Sequence, residues 1–335
     1  MSPTKKTIQS RRTFLRNSGC AALASTTMLS SLVNMKAIAA ATLDKKEEFG
    51  DYKALVCILL AGGADSHNML IPRGANEYNE YLTTRSNLAI PQSQILPLNH
   101  SPINGKLFGV HPEMPQTRSL FNSGKLAWLS NVGTLIEPIT KAQYEANSAL
   151  TPLGLFSHSD QIKHWQTGRP GERASHGWAG RMADLIQSQN ANQNLSMNVS
   201  LSGNNFFQSG ENANEFSIKS SGQFGLDGYA TQNNYHTVRN DAINDILERD
   251  YTDIYKKTYI NTLKKSVAGS LEMEEALASV GEFNTQFSNT TLSDQLKMIA
   301  KVIGAREELG FGRQTFFINV GGWDHHDEIL ESQQE

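Results

Sequence analysis

Thr315-Phe316-Phe317-Ile318-Asn319-Val320-Gly321-Gly322-Trp323-Asp324-His325-His326 is the stretch on which the reading of this chain turns. Its first half is a short run of apolar and β-branched residues, the pattern of a buried strand. Its second half puts a carboxylate and two imidazoles directly after that strand. Open α/β sheets bind ligands at the carboxyl ends of their strands. Asp324 and His326 offer a hard oxygen and a borderline nitrogen, a pair suited to a zinc-type or manganese-type divalent ion. Two ligands do not make a tight site. Either other segments supply the rest or it lies beyond Glu335.

A second strand of the same kind lies near the start of the mature chain. Ala54-Leu55-Val56-Cys57-Ile58-Leu59-Leu60 is continuously apolar, as strands of a mostly parallel sheet are when covered on both faces. It runs into Ala61-Gly62-Gly63-Ala64-Asp65-Ser66-His67-Asn68. Asp65 therefore sits past a strand end, after two glycines that let backbone approach a ligand closely. The competing reading is a turn aspartate that caps the next segment. His67 and Asn68 either orient a ligand or make turn hydrogen bonds.

Between these ends the patterning alternates. Pro112 to Gly124 reads as a helix, Leu126 to Val132 as a strand, Ser157 to Thr167 and Trp178 to Gln187 as short helices, and Leu195 to Leu201 as a strand. Gly203 to Tyr235, rich in Asn, Ser, Gly and Gln, reads as a long surface excursion. Ile243, Ile246, Leu247, Tyr251, Ile254 and Tyr255 fall at helical spacing, as do Leu292, Leu296, Ile299 and Ile303, and both stripes read as core contacts. Strands alternating with helices give an α/β class with a layered architecture.

The first forty residues read as a targeting segment. Ser10-Arg11-Arg12-Thr13-Phe14-Leu15-Arg16 is a twin-arginine pattern, followed by an Ala/Ser/Thr-rich stretch too short and polar for a stable span, and by Ala37-Ile38-Ala39 for cleavage. The expectation is export to the periplasm through the twin-arginine machinery. Removing the six leader cations from a net charge of −3 leaves about −9, which argues against nonspecific binding to nucleic acid or anionic membrane. Cys57 is the only cysteine after the leader, so no internal disulfide forms in the mature chain.

Chemistry concentrates in Phe156-Ser157-His158-Ser159-Asp160-Gln161-Ile162-Lys163-His164-Trp165-Gln166-Thr167-Gly168. Ser157 reads as a helix N-cap with Asp160 at the third position. A hydroxyl there is also where a nucleophile gains most from free N–H groups and the helix dipole. Asp160 and His164 share a helix face, as a metal pair or a structural contact. A hydrolase triad draws its members from separate segments, so the local Ser-His-Asp set is too compressed to be one.

Taken together, the segments resemble one family. A twin-arginine leader, Leu60-Ala61-Gly62-Gly63-Ala64-Asp65-Ser66-His67-Asn68, Ile71-Pro72, Leu88-Ala89-Ile90-Pro91, Leu96-Pro97-Leu98, Phe108-Gly109-Val110-His111-Pro112, the Ser157 segment and Gly321-Gly322-Trp323-Asp324-His325-His326 are similar to the uncharacterised bacterial family called domain of unknown function 1501. That family is grouped with the alkaline-phosphatase-like and sulfatase-like superfamily. The resemblance runs from about Ala54 to the end of the chain. It implies a mostly parallel sheet flanked by helices, metals at the strand ends, and cleavage of phosphate or sulfate esters. It implies Asp65, Asp324 and His326 as metal ligands. Trp165-Gln166-Thr167-Gly168 is similar to a run that follows the nucleophile in alkaline phosphatases, which puts the nucleophile position at Ser157 or His158. Members continue past their Gly-Gly-Trp-Asp-x-His motif into further strands, so residues 41–335 are expected to be an alkaline-phosphatase-like domain shortened before its last strands. The alternative expectation is a non-catalytic periplasmic binding or assembly protein on the same fold, with a small-molecule ester or glycan as the ligand class.

Overall fold

The computed structural model describes residues 51–222, 234–326 and 328–334. The twin-arginine leader read at residues 1–40 lies outside the described residues, as does part of the excursion read after Gly203. Among the described residues no helix is long and apolar enough to cross a membrane.

The chain is α/β. Its main sheet is parallel, with four strands: β1 (Lys53–Leu60), β5 (Asn198–Ser200), β6 (Phe216–Ser217) and β7 (Arg313–Val320), in the order β1-β7-β5-β6. The apolar runs at both ends of the chain therefore meet. Lys53 pairs with Arg313 and Leu60 with Val320, in parallel register over the whole length of both strands. A second, antiparallel sheet of three short strands, β2 (Leu70–Pro72), β3 (Leu96–Pro97) and β4 (Phe108–Val110), has β4 at its centre. The helices in chain order are α1 (Ala75–Arg85), α2 (Pro115–Asn122), α3 (Lys141–Glu145), α4 (His158–Thr167), α5 (Trp178–Ile186), α6 (Asn234–Glu248), α7 (Ile254–Ala278), α8 (Thr291–Gly304) and α9 (Ile329–Ser332).

Alternation along β7 divides the core. Phe316 and Ile318 point into the larger cluster, with Met197 and Val199, Met273 of α7, and Met298, Ile299 and Val302 of α8. Phe317 points the other way, to Ala179 and Phe207, with Cys57 and Leu59 of β1 against them. Phe207 links that smaller cluster by stacking on Phe317 at 5.4 Å and meeting Trp178 edge-on at 4.5 Å. A third cluster, Ile71, Tyr78, Tyr81, Ile90 and Ile95, lies between the antiparallel sheet and α1.

Three expectations need correction. Leu126–Val132 is not a strand. It carries apolar residues, but among the described residues no strand pairs with it, and Asn131 takes a left-handed conformation (φ 57°) that interrupts extended backbone. The run from Gly203 is not a surface excursion over its described part. Phe207, Gln208, Ala213 and Ile218 are buried, and β6 pairs with β5 in the main sheet. Polar side chains pin this segment down: Gln208 Nε2 donates to Val199 O and to Thr315 Oγ1 at 3.1 and 3.0 Å, and Asn198 Nδ2 donates to Gln208 O at 2.9 Å. The first helical stripe does not stay on one face. Its pattern crosses a break, where α6 ends and Asp253 caps α7 by accepting from Lys256 N at 2.9 Å. Leu247 is buried, whereas Ile246, Ile254 and Tyr255 are exposed. The Leu292 to Ile303 stripe packs on the main core as its spacing requires.

Candidate functional site

The carboxyl ends of β1 and β7 open onto one region, and backbone packing there dictates glycine. A side chain at Gly62, where φ is +124°, would place its Cβ 2.7 Å from Asp324 N. Trp323 N donates to Ala61 O at 3.2 Å. The loop after β7 thus lies directly on the loop after β1, and only the missing side chain allows it. This contact is what brings the Gly-Gly-Trp-Asp-His-His motif to the edge of the cleft.

Helix α4 supplies the opposing wall. Its first turn is capped as the sequence indicates: Ser157 Oγ accepts from Asp160 N at 3.4 Å and lies 3.1 Å from Ser159 Oγ. Gly168, left-handed at the other end, closes the helix with its N–H on His164 O. His158 reaches toward the strand ends, with Nε2 3.7 Å from Asp324 Oδ2. His326 Nε2 is 3.1 Å from the same oxygen. One carboxylate oxygen is therefore flanked by two imidazoles from segments about 170 residues apart in the chain.

Asp65 is arranged differently. Its Oδ1 accepts from His67 N at 3.0 Å, capping a short 3-10 turn, and its Oδ2 is ion-paired with Arg85 from the last turn of α1. The capping reading of Asp65 is the contact seen. Asn68 is fully buried and structural: its Nδ2 donates to Leu88 O and its Oδ1 accepts from Tyr81 Oη at 2.8 Å. Gln333 binds the same loop, donating to Asp65 O at 3.2 Å. Among the described residues, no three His, Cys, Asp or Glu side chains are disposed to hold a metal ion as they stand.

Several polar residues of α4 serve the fold. His164 is buried, and its Nε2 lies 2.7 Å from Leu153 O, a geometry in which the ring donates. Asp160 does not join it; its carboxylate lies against Gly154, and Arg173 stands 3.9 Å away. Gln166 Oε1 accepts from both Phe206 N and Phe207 N, at 2.9 and 3.0 Å, and so fastens α4 to the segment before β6. His111 is likewise buried, its Nδ1 accepting from Glu113 N at 3.1 Å, and burial pushes its pKa below the ordinary value, against a smaller opposite effect from Glu113.

Between β1, α4 and the Leu126–Val132 run lies a cleft of about 740 Å³. Ser66, Ser157, His158, Gln161 and Gln166 are its polar residues, and Phe156, Trp165, Trp178, Leu129 and Val132 give it apolar walls. Of the residues that the motifs single out, the structure brings Ser157, His158, Asp324 and His326 together, while Asp65 is paired with Arg85. Sequence reading missed Arg85 and Gln166. Arg85 has no signal in the chain, because its role follows from α1 ending beside Asp65. Gln166 falls within the Trp-Gln-Thr-Gly run, where the glutamine's neighbours drew the attention.

Comparison with family models, with curated proteins and with solved structures finds no match to this chain.

Proposed function

We propose that this chain is an exported, metal-assisted ester hydrolase domain of the alkaline-phosphatase-like type, from the family its motifs resemble. One observation carries the reading. The N-terminus of α4, with Ser157 and His158, and the loop after β7, with Asp324 and His326, meet at the carboxyl ends of parallel strands beside a cleft. That is where α/β folds of this class place their chemistry.

The residue types around Asp324, one carboxylate and two imidazoles, suit a borderline divalent ion, although as they stand the three side chains contact one another and are not disposed around an ion. Asp324, His326 and His158 would hold such an ion; Asp65, paired with Arg85, stands apart from them. Such an ion would supply Lewis-acid polarisation of the ester's phosphoryl or sulfuryl oxygen. The chain's own contributions are positional. Ser157 presents its hydroxyl at a helix N-terminus, where the dipole favours the negative charge that develops on attack. His158 stands next to Ser157 with Asp324 3.7 Å from its ring, and the cleft's walls offer apolar surface to the rest of a substrate.

The test is metal content and hydrolysis by the purified full chain. Wild type is expected to retain zinc or manganese and to cleave p-nitrophenyl phosphate or sulfate. Asp324→Asn should lose most of the metal and about 100-fold in rate. Asp65→Ala reports whether Arg85 releases that carboxylate to the ion. Equal metal content in wild type and Asp324→Asn, with no hydrolysis by either, would replace this reading with that of a non-catalytic binding or assembly protein.

A further inference from the structure

A second cavity, of about 500 Å³, is walled chiefly by the antiparallel sheet, the loop that joins β3 to β4, and α2. It shares no residue with the cleft beside Ser157. Local pairing sets its frame. β3 runs antiparallel to β4, and Leu98 N donates to Phe108 O at 3.2 Å. At the tip of the loop Asn104 and Gly105 take left-handed conformations (φ 52° and 79°), the Asn-Gly turn of a two-residue hairpin. Ile103 and Lys106 then exchange backbone hydrogen bonds at 3.1 and 3.0 Å, so their side chains share a face, and both line the cavity. Asn99 N donates to Asn122 Oδ1 at 2.8 Å, which ties α2 to this lobe, and α2 contributes Phe121 to the wall.

The lining is aromatic, and its charge has one sign. The His100 ring stands 6.0 Å from that of Phe108 and 6.2 Å from that of Phe121, the second edge-on. Both its nitrogens are taken by backbone. Nδ1 lies 2.6 Å from Ser101 O, a geometry in which the ring donates, and Nε2 accepts from Phe108 N at 3.1 Å. His100 therefore offers ring surface to the cavity. Among the described residues Lys106 is the only charged one in the lining, and it makes no ion pair. Arg118 lies three residues before Phe121 on α2, and Lys125 directly precedes Leu126 of the lining. From Ser86 to Ile136 three cations, Lys106, Arg118 and Lys125, face one anion, Glu113. That is a net of +2 within a mature chain of about −9.

We infer that this cavity is a binding site for a small aromatic carboxylate. The volume falls in the ordinary range of small-molecule pockets, which are mostly apolar with a few polar groups that fix orientation. Phe108, His100 and Phe121 supply the ring surfaces against which a second aromatic ring packs face-offset or edge-on. Lys106, on the hairpin at the rim, pairs with the carboxylate through a charge-assisted hydrogen bond. Among the described residues the lining holds no carboxylate, so nothing there opposes the ligand's charge. The rigid two-residue turn holds Ile103 and Lys106 side by side, so apolar contact and charge meet the ligand together. The inference stands independently of the ester reading, because no residue of the Ser157 cleft takes part in it.

The test uses 4-benzoylbenzoate, an aromatic carboxylate that attaches to neighbouring C–H bonds on irradiation. Irradiating the full chain with it and mapping the labelled peptides should give saturable labelling within residues 96–108 and 118–128, competed away by 2-naphthoate. The uncharged 4-benzoylbenzamide should label the same peptides roughly tenfold less. Lys106→Glu changes an exposed side chain; it should lower labelling by the carboxylate roughly tenfold and leave labelling by the amide as it was. Labelling centred on the Ser157 cleft, or spread evenly along the chain, overturns the inference. Equal labelling by acid and amide in the wild-type chain also overturns it, and that comparison needs no variant to fold.

Discussion

β1 and β7 are adjacent parallel strands of eight residues, each carrying an apolar run, and their surroundings differ sharply. β7 lies between β1 and β5, with helices over one face and the Phe207 cluster over the other, and Phe316, Phe317 and Ile318 are sealed from solvent. Among the described residues β1 has one neighbour, and Leu55, Val56 and Ile58 remain 37–42% exposed. An apolar run thus records a capacity for burial. Whether the capacity is used depends on what the rest of the chain brings alongside.

The largest expected effect tests that contrast directly. Phe316→Ala should cost about 3–5 kcal/mol in urea unfolding, through lost transfer energy and the cavity left in the main cluster. Ile58→Ala should cost about 1 kcal/mol or less, since much of the side chain is already in water. Comparable costs for the two would mean that the outer side of β1 is covered in solution.

A second prediction concerns how the two sides of the sheet are tied together. Gln166→Ala leaves the N–H groups of Phe206 and Phe207 without their acceptor and should destabilise by about 1–3 kcal/mol. Gln166→Glu, which keeps an acceptor oxygen, should recover part of the loss. Unchanged stability in Gln166→Ala would show that α4 is not fastened to the core through this residue.

Ser157 separates the fold's requirement from the site's. Ser157→Ala should cost about 1 kcal/mol, the value of a lost N-cap. Ser157→Asp keeps a capping oxygen and removes the nucleophilic hydroxyl, so it should fold nearly as well as wild type while hydrolysis is lost. Retained hydrolysis in Ser157→Asp would move the nucleophile away from this residue.

The smallest effect is a pH dependence far from the cleft. Partial burial raises the pKa of Asp184, but the N–H groups of Ala213, Asn212 and Glu211, together with the charge of His176, outweigh it and leave the value below the ordinary 3.8. A carboxylate held ionised in this way stabilises the fold above its unfolded pKa. That contribution fades as pH falls below about 3.8 and through the lowered folded value. The carboxylate is exposed, so solvent screens it and the effect is small. Melting temperatures of wild type and Asp184→Asn should therefore converge as pH drops from 5 to about 2; a constant gap would assign the difference to geometry alone.

Much of the α/β reading was legible because it rests on local chemistry. Ala54–Leu60 and Thr315–Val320 are strands; Ser157 caps α4 and Gly168 stops it; Leu292, Leu296, Ile299 and Ile303 face the core. Other readings failed where one pattern admits two outcomes. Leu126–Val132 has strand composition, but a strand exists only when a neighbour accepts its hydrogen bonds. The Ile243–Tyr255 spacing is helical, but a capped break at Asp253 turns the second half away. The polar run from Gly203 looked like surface because its asparagines and glutamines are hydrophilic, yet Gln208 is buried through bonds to Val199 and Thr315 that no local pattern announces. The site divides in the same manner: the motifs located Ser157, His158, Asp324 and His326, while the sharing of Asp324 between two histidines, and the pairing of Asp65 with Arg85, became visible only in three dimensions.

By itself the sequence determined which residues are chemically able to act and which segments are able to form strands and helices, because rotamer preference, capping and periodicity operate over a few residues. The tertiary structure alone decided which of those segments meet. Gly62 lets the loop after β7 lie on the loop after β1, and that contact, between residues some 260 positions apart in the chain, is what sets Asp324 beside the helix that carries Ser157.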